Sequence, residues 1–220
     1  MRVGPGLIKD CSAFIRANTR LSQVPLTPRI KLYLAEEGTE LWRKTEDEME
    51  RGLGPPPFWA FAWAGGQALA RYICDHPELV RGKRVLDLAA GSGLVAIAAA
   101  RAGASEVEAN DLDCFAGAAI ALNAIENAVI IKTRLCDLVG SEEPWDLILA
   151  GDVSYQPDMA ARITIWLEDR ARSGTPVLIG DPGRAYLPRE KLCSLASYDV
   201  PVPLALEGAT MKRTDIWSFL

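Results

Sequence analysis

From residue 83 onward the chain alternates short apolar runs with helical stretches, and that rhythm leaves few folds open. Strands are expected at 83–88, 105–110, 131–136, 145–151 and 175–180, and helices at 93–102, 113–127, 156–172 and 188–196. Short connections between such elements demand a parallel sheet, right-handed crossovers and helices on both faces. The end of the chain breaks the rhythm. Residues 198–206 and 212–220 are β-rich runs on either side of Glu-Gly-Ala-Thr, which predicts an antiparallel hairpin. Residues 1–57 read as an N-terminal extension and 58–220 as the main domain. The extension should hold an amphipathic helix over 7–21 and a small hairpin pairing 29–34 with 39–43 across Glu-Glu-Gly. An acidic segment, a Gly-Pro-Pro-Pro linker and a helix over 64–74 follow.

The first strand of the repeat ends in a turn of small residues, Ala89 to Gly93, that opens an alanine-rich helix. Small residues let the backbone approach a ligand, and a helix start offers unpaired N–H donors. About twenty residues later Asp111 ends the second strand, where a carboxylate accepts hydrogen bonds from both hydroxyls of a ribose. Asp113 is the better cap for the following helix, which leaves Asp111 to the ligand. The turn has Gly91 and Gly93 but Ala96 further on, so it meets the dinucleotide fingerprint only by half. Asp87 sits inside the strand end. A pyrophosphate favours a turn without an anion, whereas a sulfonium carrying an amino-acid tail tolerates one, so Asp87 points to S-adenosylmethionine. Asp137, after the third strand, is a candidate acceptor for an adenine amino group or a plain turn aspartate.

Composition narrows the function classes. A net charge of −5 argues against nucleic acid, whose phosphates call for a basic stripe. The longest uncharged run, Leu53 to Ala70, is broken by prolines and glycines and is no membrane span. Arg2, Arg16 and Arg20 give only a faint transit-peptide flavour. Five scattered cysteines without a Cys-x-x-Cys spacing fit reduced thiols in a cytoplasmic protein. With His76 as the single histidine, no metal-ligand cluster can be assembled by spacing, and a histidine triad would have to use His76, which reads better as a helix C-cap.

The fourth strand ends in Gly151-Asp152-Val153-Ser154-Tyr155. Reacting groups in open α/β sheets gather at the carboxyl ends of the strands, so Asp152 and Tyr155 should face the cofactor. The competing role for Asp152 is capping the helix near Pro157. Trp59, Phe61 and Trp63 fall on one face if extended, as core or as a pocket wall.

Taken together, the segments 57–72, 81–88, 109–111, 151–155 and 177–184 resemble the electron transfer flavoprotein β-subunit lysine methyltransferases. Gly65-Gly66-Gln67-Ala68-Leu69 and Ile179-Gly180-Asp181-Pro182-Gly183-Arg184 are the specific matches. Ala89, where the family has a glycine, and Ala64, where it has a proline, depart from the pattern. The resemblance implies an α/β class I S-adenosylmethionine-dependent methyltransferase, Rossmann-like, with a mostly parallel seven-stranded sheet. It implies in-line methyl transfer to a lysine ε-amine of the electron transfer flavoprotein β subunit. Asp152 would orient the amine, Tyr155 would shape its pocket and Trp59 would line the channel for the lysine stem. Asp181 and Arg184 would meet the protein substrate at the mouth. Trp63, Ala89, Leu112 and Gly151 would join Asp87, Gly91, Gly93, Asp111 and Asp137 around the cofactor. The location would be the cytoplasm of a bacterium, or the mitochondrial matrix in a eukaryote. On the residues alone, another protein substrate such as a ribosomal protein, a small amine, a nicotinamide-dependent oxidoreductase and a non-catalytic nucleotide-binding module stay open. Oligomeric state is not legible.

Overall fold

A computed structural model describes residues 10–36, 41 and 56–220. Helix α1 (Cys11–Asn18) is capped by the Asp10 carboxylate, which accepts from the Ala13 N–H at 3.0 Å. It ends where the Asn18 and Thr19 side chains donate back to the Phe14 and Ile15 carbonyls. Of the expected helix over 7–21, residues 7–9 lie outside the described residues; among those described it spans Cys11–Asn18, and Arg20–Val24 instead forms strand β1, paired antiparallel with β2 (Thr27–Leu34). That hairpin turns at Pro25 and Leu26; of the Glu-Glu-Gly expected to join residues 29–34 to a later strand, only Glu36 lies within the described residues. Of the expected second strand over 39–43, only Leu41 lies within the described residues. Strand β2 lies on a helix of the main domain through two asparagines. Asn123 Oδ1 accepts from the Tyr33 N–H, and Asn127 exchanges bonds with both backbone groups of Lys31.

Beyond the linker come α2 (Ala64–Asp75), β3 (Arg84–Leu88), α3 (Leu94–Arg101), β4 (Glu106–Asn110), α4 (Cys114–Glu126) and β5 (Lys132–Arg134). Next are β6 (Leu147–Gly151), α5 (Pro157–Arg172), β7 (Val177–Asp181), β8 (Leu192–Pro201), the single turn α6 (Leu204–Glu207) and β9 (Met211–Phe219). His76 is the C-cap of α2, as expected. The sheet order is β5-β4-β3-β6-β7-β9-β8. Five strands are parallel; β9 runs antiparallel to both β7 and β8. The expected helix over 188–196 is a correction: after a short 3-10 turn, residues from Leu192 onward pair with β9. Strand pairing outweighs the helix preference of Arg-Glu-Lys-Leu because β8 covers the edge of β9, whose backbone N–H and C=O groups would otherwise stand unpaired.

One core, on the α2–α3 face, joins Leu69, Ile73, Ile97 and Leu149 to Val24, Ile30 and Leu32 of the extension. A second, on the α5 face, is built on Leu86, Ile148, Trp166 and Leu167. The chain leaves β3 for β4 and β5 on one side and returns to β6 on the other. A crevice opens at that switch, beyond the carboxyl ends of the strands, which is where open α/β sheets bind ligands.

Candidate active site

A cavity of about 700 Å³ fills the crevice. Of the residues assigned to catalysis, cofactor or substrate from the sequence, all but Gly93 and Asp181 line it.

Strand β3 delivers Asp87 and then turns through Ala89, whose φ of 54° lies in the left-handed region that glycine occupies without strain. This alanine is the one that departs from the family pattern, and the turn keeps the glycine-like shape regardless. Gly91 and Gly93 also have positive φ, at 52° and 79°. Gly93 is the N-cap of α3 and offers that helix no side-chain acceptor. Asp87 supplies one from the strand: its Oδ2 accepts from the Ala96 N–H at 2.8 Å. A Cβ at Gly93 would come within 3.1 Å of Ile120, so this glycine serves the packing of α3 on α4 and not ligand contact. Asp87 is 1% exposed, and burial, with Asp111 nearby, pushes its carboxyl up to about 7.

Asp111 ties two loops together. Its Oδ2 accepts from the Gly91 N–H at 2.9 Å and its Oδ1 from the Asp113 N–H at 3.0 Å. Each oxygen keeps an accepting site, two in all, enough for two hydroxyl groups. Asp113 caps α4 as expected, accepting from Phe115 at 2.9 Å. Asn110, buried between the strand ends, donates to the carbonyls of Arg134 and Cys136 and sets the loop that carries Asp137. Asp137 accepts from Arg162 at 2.7 Å, and that guanidinium holds its carboxyl below the usual range. Leu112 is 71% exposed on the same rim. Small turn residues and two carboxylates with spare acceptor sites fit an adenosine carrying a cationic tail.

The opposite wall is made by the ends of β6 and β7 pressed against the start of α2. A Cβ on Gly65 would lie 2.1 Å from the Gly180 carbonyl oxygen, and one on Gly180 would lie 2.2 Å from the Gly65 oxygen. This close approach is the physical reason for glycines in both family-specific segments. It brings the Gly66 N–H to 3.0 Å from Asp152 Oδ2. Asp152 itself has φ 56°, a strained setting for a residue with a side chain. It does not cap α5, whose N-cap is Gln156. Its Oδ1 accepts instead from Arg184 Nε and Nη2, at 2.9 and 2.7 Å. Burial pushes Asp152 up to about 6; Arg184 opposes the shift and Asp181 adds to it.

Asp181 is fully buried, so the expectation that it meets the protein substrate fails. Its Oδ1 accepts from the Gly183 and Arg184 N–H groups, both at 2.7 Å. With Pro182 in second place and Gly183 at φ 86°, Asp181 folds the tight turn that sends Arg184 back to Asp152. Arg184 is mostly taken up inside the protein. It also donates to Glu207 Oε1 at 2.9 Å and lies 5.7 Å above the Trp63 ring.

Residues 58–60 make a 3-10 turn, so the aromatic residues are not an extended stripe. Trp59 is 2% exposed and stacks on Phe115 of α4 at 5.9 Å, on the side of the Gly91 loop. Phe58, which the sequence reading passed over, packs on Tyr155 at 5.1 Å and on Trp63 at 5.9 Å. The Trp63 indole N–H donates to the Phe58 carbonyl at 2.9 Å. Phe58, Trp63 and Tyr155 thus form one cluster on the cavity wall that includes Asp152 and Arg184.

This strand order, with carboxylates at the ends of β3, β4 and β6 around a nucleoside-sized cavity, defines a class I S-adenosylmethionine-dependent methyltransferase. The fold is shared with a magnesium protoporphyrin IX methyltransferase from Synechocystis, solved with bound SAM. Identity is 14%, the TM-score is 0.53, and the likeness covers 70% of this chain and 78% of that one. Residues 69–153 match the family described as ribosomal protein L11 methyltransferase (PrmA). An electron transfer flavoprotein beta subunit lysine methyltransferase from Xenopus laevis is 41% identical over 214 residues, 94% of this chain and 86% of that protein. The one from Mus musculus is 40% identical over 230 residues, 99% and 87% respectively. The chain belongs to this family of S-adenosylmethionine-dependent protein lysine methyltransferases.

Proposed function

We propose that the protein methylates lysine ε-amines of the electron transfer flavoprotein β subunit, with Asp152 as the group that orients the amine. One observation carries the reading. A buried carboxylate at the end of β6 borders the same cavity as Asp87, Asp111 and the packed rings of Phe58, Trp63 and Tyr155. The relatives' names supply the flavoprotein as acceptor. The PrmA match ends at residue 153, ahead of Tyr155 and Arg184, so it speaks for the cofactor half and not for a ribosomal substrate. Scattered cysteines support a reducing compartment, the cytoplasm of a bacterium or the mitochondrial matrix of a eukaryote.

S-adenosylmethionine supplies the electrophilic methyl group and a positive charge beside the incoming amine. Asp111 is assigned to the ribose hydroxyls, Asp87 and the Ala89–Gly91 turn to the amino-acid end, and Leu112 and Asp137 to the adenine. A free lysine, with pKa about 10.4, is neutral about once in a few thousand molecules at pH 7. An ionised Asp152 accepts a hydrogen bond from the amine and aims its lone pair. Titrating near 6, it is too weak a base to strip the ammonium by itself. Phe58, Trp63 and Tyr155 enclose the apolar stem and exclude water. Alignment therefore carries most of the acceleration.

The test is incubation of the protein with labelled cofactor and purified electron transfer flavoprotein, followed by peptide mass spectrometry. Methylated lysines on the β subunit are expected. Label confined to other proteins of a lysate would overturn the assignment.

A further inference from the structure

A chain of charges runs back from Asp152 through Arg184 and Glu207 to Lys212, with the two carboxylates buried and the two cations half-buried. Glu207, on the single turn α6, has a side chain only 3% exposed. It accepts from Arg184 Nη2 at 2.9 Å and from Lys212 Nζ at 2.5 Å. Burial favours its neutral acid, but Arg184 and Lys212 outweigh burial and keep it ionised. A carboxylate buried this deeply is costly unless its neighbours use it.

The arrangement on Asp152 shows the use. A guanidinium facing one carboxylate normally engages it fork to fork, one N–H to each oxygen. Here both Arg184 donors fall on Oδ1, at 2.9 and 2.7 Å, while the other edge of the guanidinium is held by Glu207, Nη2 to Oε1 at 2.9 Å and Nη1 to Oε2 at 3.5 Å. A carboxylate accepts about four hydrogen bonds, two on each oxygen. Oδ1 is full, whereas Oδ2 holds only the Gly66 N–H and keeps one site. Asp152 and Gly66 both border the cavity.

We infer that Glu207 is a positioning residue: it draws the Arg184 fork onto one oxygen of Asp152 and so leaves the other open to the substrate amine. The inference rests on Asp152 as the amine-orienting group. The charged groups facing Asp152 are Arg184 and Asp181 from the β7 end, with Glu207 of α6 and Lys212 of β9 behind Arg184. From α2 it receives only a backbone N–H, and Tyr155 is the titratable group of its own loop.

The test uses the whole protein with purified flavoprotein substrate. It compares kcat, cofactor affinity and the pH profile of kcat/KM across about pH 5 to 9. Glu207→Gln frees the fork to close on both oxygens. Turnover should fall roughly tenfold, cofactor affinity should hold, and the acid limb should move to lower pH. Adding Arg184→Lys, a point donor that cannot fork, should restore turnover and return the limb upward. Lys212→Met strengthens the hold of Glu207 on Arg184 and should shift the limb upward, which tests the inference even if Glu207→Gln does not fold. A folded Glu207→Gln with wild-type turnover and limb would overturn the inference, as would a double variant no better than the single one or a Lys212→Met profile that does not move. If Asp152→Ala itself keeps turnover, the amine-orienting reading fails first. If Asp152→Ala is inactive and Glu207→Gln is normal, only this inference fails.

Discussion

The two walls of the cavity are assembled from different distances along the chain. The cofactor wall is local: Asp87, the turn and the first residues of α3 lie within ten positions, and Asp111 reaches the turn from the adjacent strand. The acceptor wall is collected from the whole domain. Gly66 comes from α2, Asp152 from β6, Arg184 from the turn after β7, and Glu207 and Lys212 from the terminal hairpin. On the proposed reading, the first wall holds a ligand common to many enzymes with backbone shape and two carboxylates. The second is proposed to set the direction of one hydrogen bond, through a network of charges with long-range supports.

Variants on the two walls should separate these jobs. The largest effect is expected from Asp152→Ala, which should lower turnover on the flavoprotein by roughly a hundredfold or more while cofactor affinity stays near wild type. Asp111→Ala should do the reverse. The loss of two acceptor oxygens should weaken cofactor binding by about tenfold to a hundredfold in calorimetry, with much of kcat recovered at saturating cofactor.

Asp87 should reveal itself in stability. Its folded carboxyl is raised to about 7 from 3.8, so the folded state binds more protons than the unfolded one between those values. Its contribution is full below 3.8 and is lost as the pH rises through about 7. Asp87→Asn should raise the stability of the ligand-free protein at pH 8 by on the order of 2 kcal/mol and flatten that part of the Tm profile. The smallest effect belongs to Ala89→Gly, which relieves a left-handed alanine and should stabilise the fold by about 0.5–1 kcal/mol in denaturant unfolding. A drop in stability would mean that the neighbours of Ala89 hold it there at no cost.

The same contrast explains what could be read in advance. The cofactor wall was legible because strand, turn and helix start are contiguous, and each small residue or carboxylate has a local reason to be there. Asp113 as the cap of α4 follows from spacing alone, whereas the two backbone N–H groups that Asp111 accepts come from the folded turn and loop. Asp152 and Tyr155 stood out by their place after the fourth strand and by the resemblance, but their partners did not. Glu207 lies 55 positions beyond Asp152, and it reaches the site only because β9 pairs antiparallel with β7. The preceding strand, β8, was hidden in a helix-forming stretch that yields to pairing with β9. Phe58 was passed over because a 3-10 turn, not an extended stripe, decides which aromatic ring meets Tyr155. Asp181 looked like a surface residue of a turn, yet the turn folds inward around it.

The central claim is that the grip on the cofactor and the orientation of the acceptor are separate functions meeting at one cavity. Calorimetric titration of S-adenosylmethionine into the Asp111→Ala/Asp152→Asn double variant, beside each single variant, tests it most directly. The affinity of the double variant should equal that of Asp111→Ala alone. A further loss of about tenfold or more on adding Asp152→Asn would show that Asp152 helps to hold the cofactor, and would contradict the division.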